Sequence, residues 1–562
     1  MTPNRSAKLE TPMKSEVTTN RDAPQTVSVV AVLGCAWPAL LLAAVCLLPY
    51  LNKAFLIDDP WFLTMAKQIV QHPAHPMNFE ICWNNGFGCR TANQFASGNP
   101  LLGQIAQGYV LVPTVLTGAH EWTAHITQLV LVWIAVLAMT SLVFRFGWDR
   151  WHATIGSLLL VAIPPFLPMA STAMPDILST ALALVAMERL AAWKAHQKWT
   201  QAAAAALALG LAGFARPHLT LLLPLAAFFL FDSIDPREIL EQIRQKLWLF
   251  TPVFAACGLQ LAIILTVHEH DLPINSPSPG LIPGHMLNNL WSFLAYFVFP
   301  LPLGICWLAN RFKTKRPSFV FILIAVALIP LFLRWSVLAV VFLAILGFRV
   351  LAGLLLQAFK RRDRTELFLL LWILIPLPIV FYSHLPMKYL LPCIPAVILL
   401  CFRLLEGVSV QFARAAAYAL IFAGTGYSLL ILHADAEFAD FGRDTLARLI
   451  TPHVAAGQRV WFPGQYWSYW YAPLSGAKLT FPGGPQPEPG DLLVVDVYAD
   501  SSGPQWPLGR FPHRTLVDVV SHKYRFGRTM GAGMGLYSNG SGFWLWGFGE
   551  SDKDRFELWR ID

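Results

Sequence analysis

Charge is scarce in this chain. Only 13% of its 562 residues are Asp, Glu, Lys or Arg, where a soluble domain carries roughly 25%. With 56% hydrophobic residues and a mean hydropathy of +0.51, that shortage excludes an ordinary soluble protein. It implies a polytopic membrane protein, mostly α-helical, because each crossing needs about 20 apolar residues and many such runs are present. Other absences narrow the chemistry. There is no Gly-rich phosphate loop of the nucleotide-binding kind, no Cys/His cluster with zinc spacing and no Gly-x-Ser-x-Gly elbow. No internal repeat is visible. The net charge of +8 does not mark a nucleic-acid partner, because most Lys and Arg fall in short loops, where they orient spans among membrane lipids.

What is present is a succession of apolar runs. A polar tail, residues 1–26, reads as disordered and cytoplasmic. The run Val27–Tyr50 is too long for a signal-peptide core and has no small-residue cleavage site, so it reads as an uncleaved anchor. A membrane domain of residues 27–433 then follows, with a polar first outer loop, residues 51–121. Run lengths predict about thirteen spans. Within the first loop, Pro100–Leu116 reads as an amphipathic stretch lying in the interface. Residues 434–562 are rich in Gly, Pro and aromatics. Strand-like pieces at Gln458–Phe462 and Asp491–Tyr498 point to a small α/β or mostly β domain outside the membrane.

Charge placement supports that count. With the N-terminus inside, the inner loops receive Arg145, Arg150, Lys194, Arg244, Lys246 and the run Lys360–Arg364, among others. Before the C-terminal domain, the outer side receives only Lys53, Lys67, Arg90, Arg216, Arg334 and Lys388. This is a positive-inside pattern, and it gives no reason for the few outer cations.

Four places carry candidate chemistry. Asp58 and Asp59 stand where the first span opens into water, followed by Pro60. Three readings apply: a general base or base pair, an acidic helix cap before a proline, or a site for a hard divalent metal. Asp176 follows Met174-Pro175 at the outer start of the fourth span, as a helix cap or as a further acidic group of the same site. Arg216 lies in apolar sequence between two spans, where a guanidinium either binds a phosphate or snorkels to headgroups. His384, Lys388 and Tyr389 enter a late span beside Pro392 and Pro395, as phosphate ligands or as an interfacial anchor. Separately, Cys82 and Cys89 share a polar loop, where a disulfide and two free thiols are equally open readings.

These motifs, in this order, resemble the membrane-embedded GT-C glycosyltransferases. The similarity is to bacterial relatives of protein O-mannosyltransferases and of lipid A aminoarabinose transferases. An acidic pair opens the first outer loop (Asp58-Asp59), Pro175-Asp176 starts the fourth span and Gly210-Leu211 leads to Arg216. His384, Lys388-Tyr389, Leu391-Pro392 and Pro395 come late. Asp59 stands where the family has Glu, Arg216 where it has Lys, and Asn99-Pro100 where many relatives have His-Pro. The resemblance implies a GT-C fold with an extracytoplasmic C-terminal domain, in the inner membrane of a bacterial cell envelope. It implies a sugar donor on a polyprenyl phosphate and transfer to a lipid, protein or glycan acceptor with inversion. By motif position, Asp58 is the base and Asp59 its neighbour, with Lys388, His384 and Arg216 on the donor phosphate and Tyr389 in support. A divalent metal is left open, and no other cofactor is implied. The competing readings are a transporter or flippase of a lipid-linked sugar and a catalytically silent envelope-assembly factor.

Overall fold

The computed structural model describes residues 27–82, 89–96, 99–267, 283–311, 336–464, 468–497, 508–531, 533–548 and 554–562. Among these, seven helices are long and apolar enough to cross a membrane, which makes the chain a multi-pass membrane protein. They span Val29–Tyr50, Glu121–Arg145, Pro236–Val267, Val337–Arg361, Arg364–Phe381, Met387–Leu405 and Val410–Ala455. Several expected spans form shorter or broken helices instead. The stretch Ala153–Ala170 is split where Pro164 and Pro165 follow the helix Arg150–Ala162, because proline cannot donate into the helical ladder. The expected span Phe319–Leu333 and the cation Arg334 lie outside the described residues.

Five helices position the candidate site: α1 (Val29–Leu47), α2 (Asp59–Gln71), α3 (Asp176–His196), α4 (Trp199–Ala215) and α5 (Val410–Ala455). Between α1 and α2 the chain turns sharply at Ile57, whose φ is 52°. A β-branched residue in the left-handed region is strained by roughly 1–3 kcal/mol, so its surroundings must over-determine it. Beyond α2, Pro100–Leu116 is a broken run of short helices rather than one amphipathic rod. Gln104, at φ 53°, separates the first two. Cys82 and Cys89 are joined by a disulfide across this first loop.

Helix α5 has 46 residues, about 69 Å at 1.5 Å per residue, against a hydrocarbon core of about 30 Å. The composition change near His433 therefore falls within this helix and does not mark its end. The helix continues unbroken through the expected 433/434 boundary to Ala455.

Beyond it stands a mixed five-stranded sheet. Its strands are β1 (Val460–Phe462), β2 (Lys478–Leu479), β3 (Leu492–Val497), β4 (Arg514–Ser521) and β5 (Arg555–Ile561), in the spatial order β2-β1-β3-β5-β4. Side chains alternate across it. Val460, Phe462, Leu492, Val494, Phe556 and Leu558 join the main core with Leu446, Leu449 and Ile450 of α5. Trp461, Leu493, Val495 and Ile561 form a separate small cluster on the other face. The segment Phe526–Gly547, lying between β4 and β5, returns to the helical body. There Phe543 stacks on Tyr296 at 4.9 Å, and Trp544 meets Phe299 edge-on.

Candidate functional site

The Asp pair divides into two unlike groups. Asp59 is fully buried, and both of its oxygens are taken by backbone donors. The Leu56 N–H donates to Oδ2 at 2.9 Å and the Ala173 N–H to Oδ1 at 2.7 Å. One carboxylate thus closes the Ile57 turn and ties it to the chain just before α3. Burial pushes the Asp59 carboxyl up to about 7, against the opposing pull of Lys53 and of its two N–H donors.

Asp58 sits at the N-cap position of α2 but makes no side-chain cap hydrogen bond. The helix-cap reading therefore fails for it. It is half-buried, and among the described residues its carboxylate makes no ion pair. The charges of Arg216, Lys388 and Asp59 and the hydroxyls of Tyr389 and Tyr537 all lie within its electrostatic reach.

Four of the outer cations, Lys53, Lys67, Arg216 and Lys388, have described side chains. Lys53 is buried and paired with Asp435 of α5 at 2.5 Å, and it also donates to the backbone and hydroxyl oxygens of Ser171. Lys67 lies over the Trp470 ring at 3.9 Å. Arg216 is buried and pairs with Asp176 at 2.5 Å, with its guanidinium 4.5 Å above the Tyr389 ring. Asp176 thus belongs to a buried ion pair and is not a side-chain cap. Among the described residues, its Oδ2 and the Nε of Arg216 have no hydrogen-bond partner, so each keeps a valence for something else.

Lys388 is the exception. It is 2% exposed, yet among the described residues no carboxylate lies within ion-pairing distance of it. Its ammonium touches the Met174 sulfur at 3.4 Å and faces the rings of Tyr537 at 5.0 Å and Tyr389 at 5.8 Å. A buried cation without a paired anion is costly and marks a place where an anion would be favourable. His384 bonds Ser383 and Tyr389, each at 3.0 Å. Burial, then Lys388 and Arg216, push its imidazole down to about 3, so it is neutral near pH 7. It can hydrogen-bond a phosphate but adds no charge to it.

Asp58, Asp59, Asp176, Arg216, His384, Lys388 and Tyr389 are therefore neighbours in one buried polar cluster. Among the described residues, no group of three or more His, Cys, Asp or Glu side chains could hold a metal ion. The Asp58–Asp59 pair also fits one poorly, because both Asp59 oxygens already accept backbone hydrogen bonds. A cavity of about 520 Å³ lies elsewhere, lined by Val30, Gly34, Arg150, Trp151 and Tyr418 at the far end of α1. Sequence reasoning missed Lys53 as a structural ion, its partner Asp435, and the contributions of Met174, Tyr537 and Asn539. Lys53 carried a signal, since it broke the charge rule; Tyr537 and Asn539 sit in Gly-rich sequence with none.

The split between the two acids has a pH consequence. Raising the folded Asp59 from 3.8 to about 7 means that the folded chain keeps a proton which the unfolded chain has released. The resulting stability is fully present below about pH 4 and is lost as pH rises through about 7. Thermal midpoints measured from pH 4 to 8 are expected to fall for the wild type, and this component should vanish in Asp59→Asn. That variant also turns an amide N–H toward a backbone N–H, costing about 1–3 kcal/mol.

No family model matches the chain, and no curated protein matches it. Among solved structures it is similar to ArnT from Cupriavidus metallidurans bound to undecaprenyl phosphate. Identity there is 15% and the TM-score 0.47, over 88% of this chain and 97% of that one. It is also similar to the Archaeoglobus fulgidus oligosaccharyltransferase tethered with an acceptor peptide, at 14% identity and a TM-score of 0.41. That match covers 77% of this chain and 62% of the other, so the chain spans less than two thirds of that protein's length.

Proposed function

We propose that the chain is a GT-C glycosyltransferase that moves a sugar from a polyprenyl-phosphate donor to an acceptor on the extracytoplasmic face. The observation that carries this reading is the presence in one cluster of an open carboxylate, Asp58, and a buried cation, Lys388, that no carboxylate among the described residues pairs with. The order of sequence motifs supports the same reading.

In this mechanism Asp58 accepts the proton of an acceptor hydroxyl as its oxygen attacks the anomeric carbon. The bond from that carbon to the phosphate oxygen breaks, and its electron pair leaves with the lipid phosphate. Lys388 and the open Nε–H of Arg216 meet the charge that grows there, and neutral His384 and Tyr389 complete the contacts. Asp59 holds the turn that aims Asp58, and Asp176 holds Arg216. Attack on the face opposite the phosphate inverts the anomeric centre. On this reading the chain has about thirteen spans, an N-terminus in the cytoplasm and the sheet domain outside, with the chemistry at the outer rim of the inner membrane. No observation favours a transporter.

The test is turnover by purified protein in detergent, given a radiolabelled sugar on a polyprenyl phosphate and an envelope extract as acceptor. Labelled product without a membrane potential or second compartment is the expected result. Donor that binds but is never consumed, with vesicles showing its translocation, would replace the enzyme by a flippase.

A further inference from the structure

We infer that Tyr537, from the segment between β4 and β5, is a positioning residue for Lys388, so that the C-terminal domain builds one wall of the anion site. The inference rests on the lipid-phosphate reading above and names a part of that site outside the transmembrane motifs.

The segment is fastened on both sides of Lys388. On one side, the Asn539 Oδ1 accepts the Leu385 N–H at 2.7 Å, while its Nδ2 donates to the Asn289 Oδ1 at 2.9 Å and the Ser292 Oγ at 3.1 Å. On the other, the Tyr537 hydroxyl donates to the Asp435 Oδ2 at 2.8 Å, and the Thr529 hydroxyl donates to Oδ1 of the same carboxylate at 3.1 Å. Asp435 is itself fixed by Lys53. These bonds leave the Tyr537 ring, which is buried, facing the Lys388 ammonium at 5.0 Å.

The choice of an aromatic face has a physical consequence. A carboxylate at that distance would neutralise the ammonium and compete with an incoming phosphate. A ring face attracts a desolvated cation without cancelling its charge. Of the acids whose charge reaches Lys388, Asp176 is engaged by Arg216 and Asp59 by two backbone N–H groups, while Asp58 stays outside ion-pairing distance. Tyr537 therefore holds the Lys388 ammonium in place without occupying its N–H donors.

The test uses the full-length protein in detergent, with undecaprenyl phosphate as the titrant and affinity as the readout. Tyr537→Leu is expected to weaken binding about tenfold, on the scale of a desolvated cation–π contact. Tyr537→Phe keeps the ring and is expected to stay within about twofold. If the Leu variant does not give folded protein, Tyr537→Met, longer and more adaptable, takes its place. The decisive comparison is in the Lys388→Met background, where removing the ring should cost no further affinity. A purely structural role would give the same loss in both backgrounds. Wild-type affinity in the Leu or Met variant, or an undiminished loss without Lys388, overturns the inference alone. Absence of binding by the wild type overturns it together with the lipid-phosphate reading.

Discussion

Asp58→Asn is expected to lower the rate of sugar transfer about 10²–10⁴-fold, the range for removing a positioned general base. The variant should remain folded and inserted. This follows from how unlike the two acids are. Asp58 makes no cap hydrogen bond, so an amide of the same shape removes no contact that holds α2. Asp59, by contrast, accepts two backbone hydrogen bonds. Its Asn variant should lose stability first and activity as a consequence. The two variants, compared by turnover and by thermal midpoint, should therefore fail in opposite ways. Donor affinity should change little in Asp58→Asn, because the phosphate side is held by other residues, so the loss appears in kcat. Full turnover in that variant would remove Asp58 as the base.

Lys53→Met is expected to destabilise the fold by roughly 3–5 kcal/mol, the usual cost of stranding one partner of a buried ion pair. Both side chains of the Lys53–Asp435 pair are fully buried. Without Lys53, the Asp435 carboxylate would keep, among the described residues, the hydroxyls of Thr529 and Tyr537. It lies on the long helix α5, at the junction of the first-loop turn and the C-terminal segment, so the loss should loosen all three. Removing both charges in Lys53→Met/Asp435→Leu should recover part of the stability, because no unpaired charge is left. Thermal unfolding of the three proteins checks this. A single variant as stable as the wild type would contradict the assignment of Lys53 as a structural ion.

The seven membrane-length helices were legible in the sequence because they rest on the length of apolar runs. The Asp58-Asp59, Asp176, Arg216 and Lys388 motifs were legible because charge in apolar surroundings is conspicuous. Three things were not. The unequal roles of Asp58 and Asp59 depend on the turn at Ile57, a β-branched residue that gives no sequence signal for a left-handed backbone. The extent of α5 was hidden because a helix passing from lipid into water changes composition without ending. The Tyr537 wall arises from contacts with Asp435 and Lys388, which are 102 residues away or more in the chain, and periodicity carries no information about such pairings.

The central claim is that the acids and the outer cations form one pocket shaped for a lipid phosphate. Mass spectrometry of the lipid retained by gently purified protein tests it most directly. The account predicts an isoprenoid phosphate bound to the wild type, retained by Asp58→Asn and lost from Lys388→Met. Retention of ordinary phospholipids only, identical in all three proteins, would contradict it.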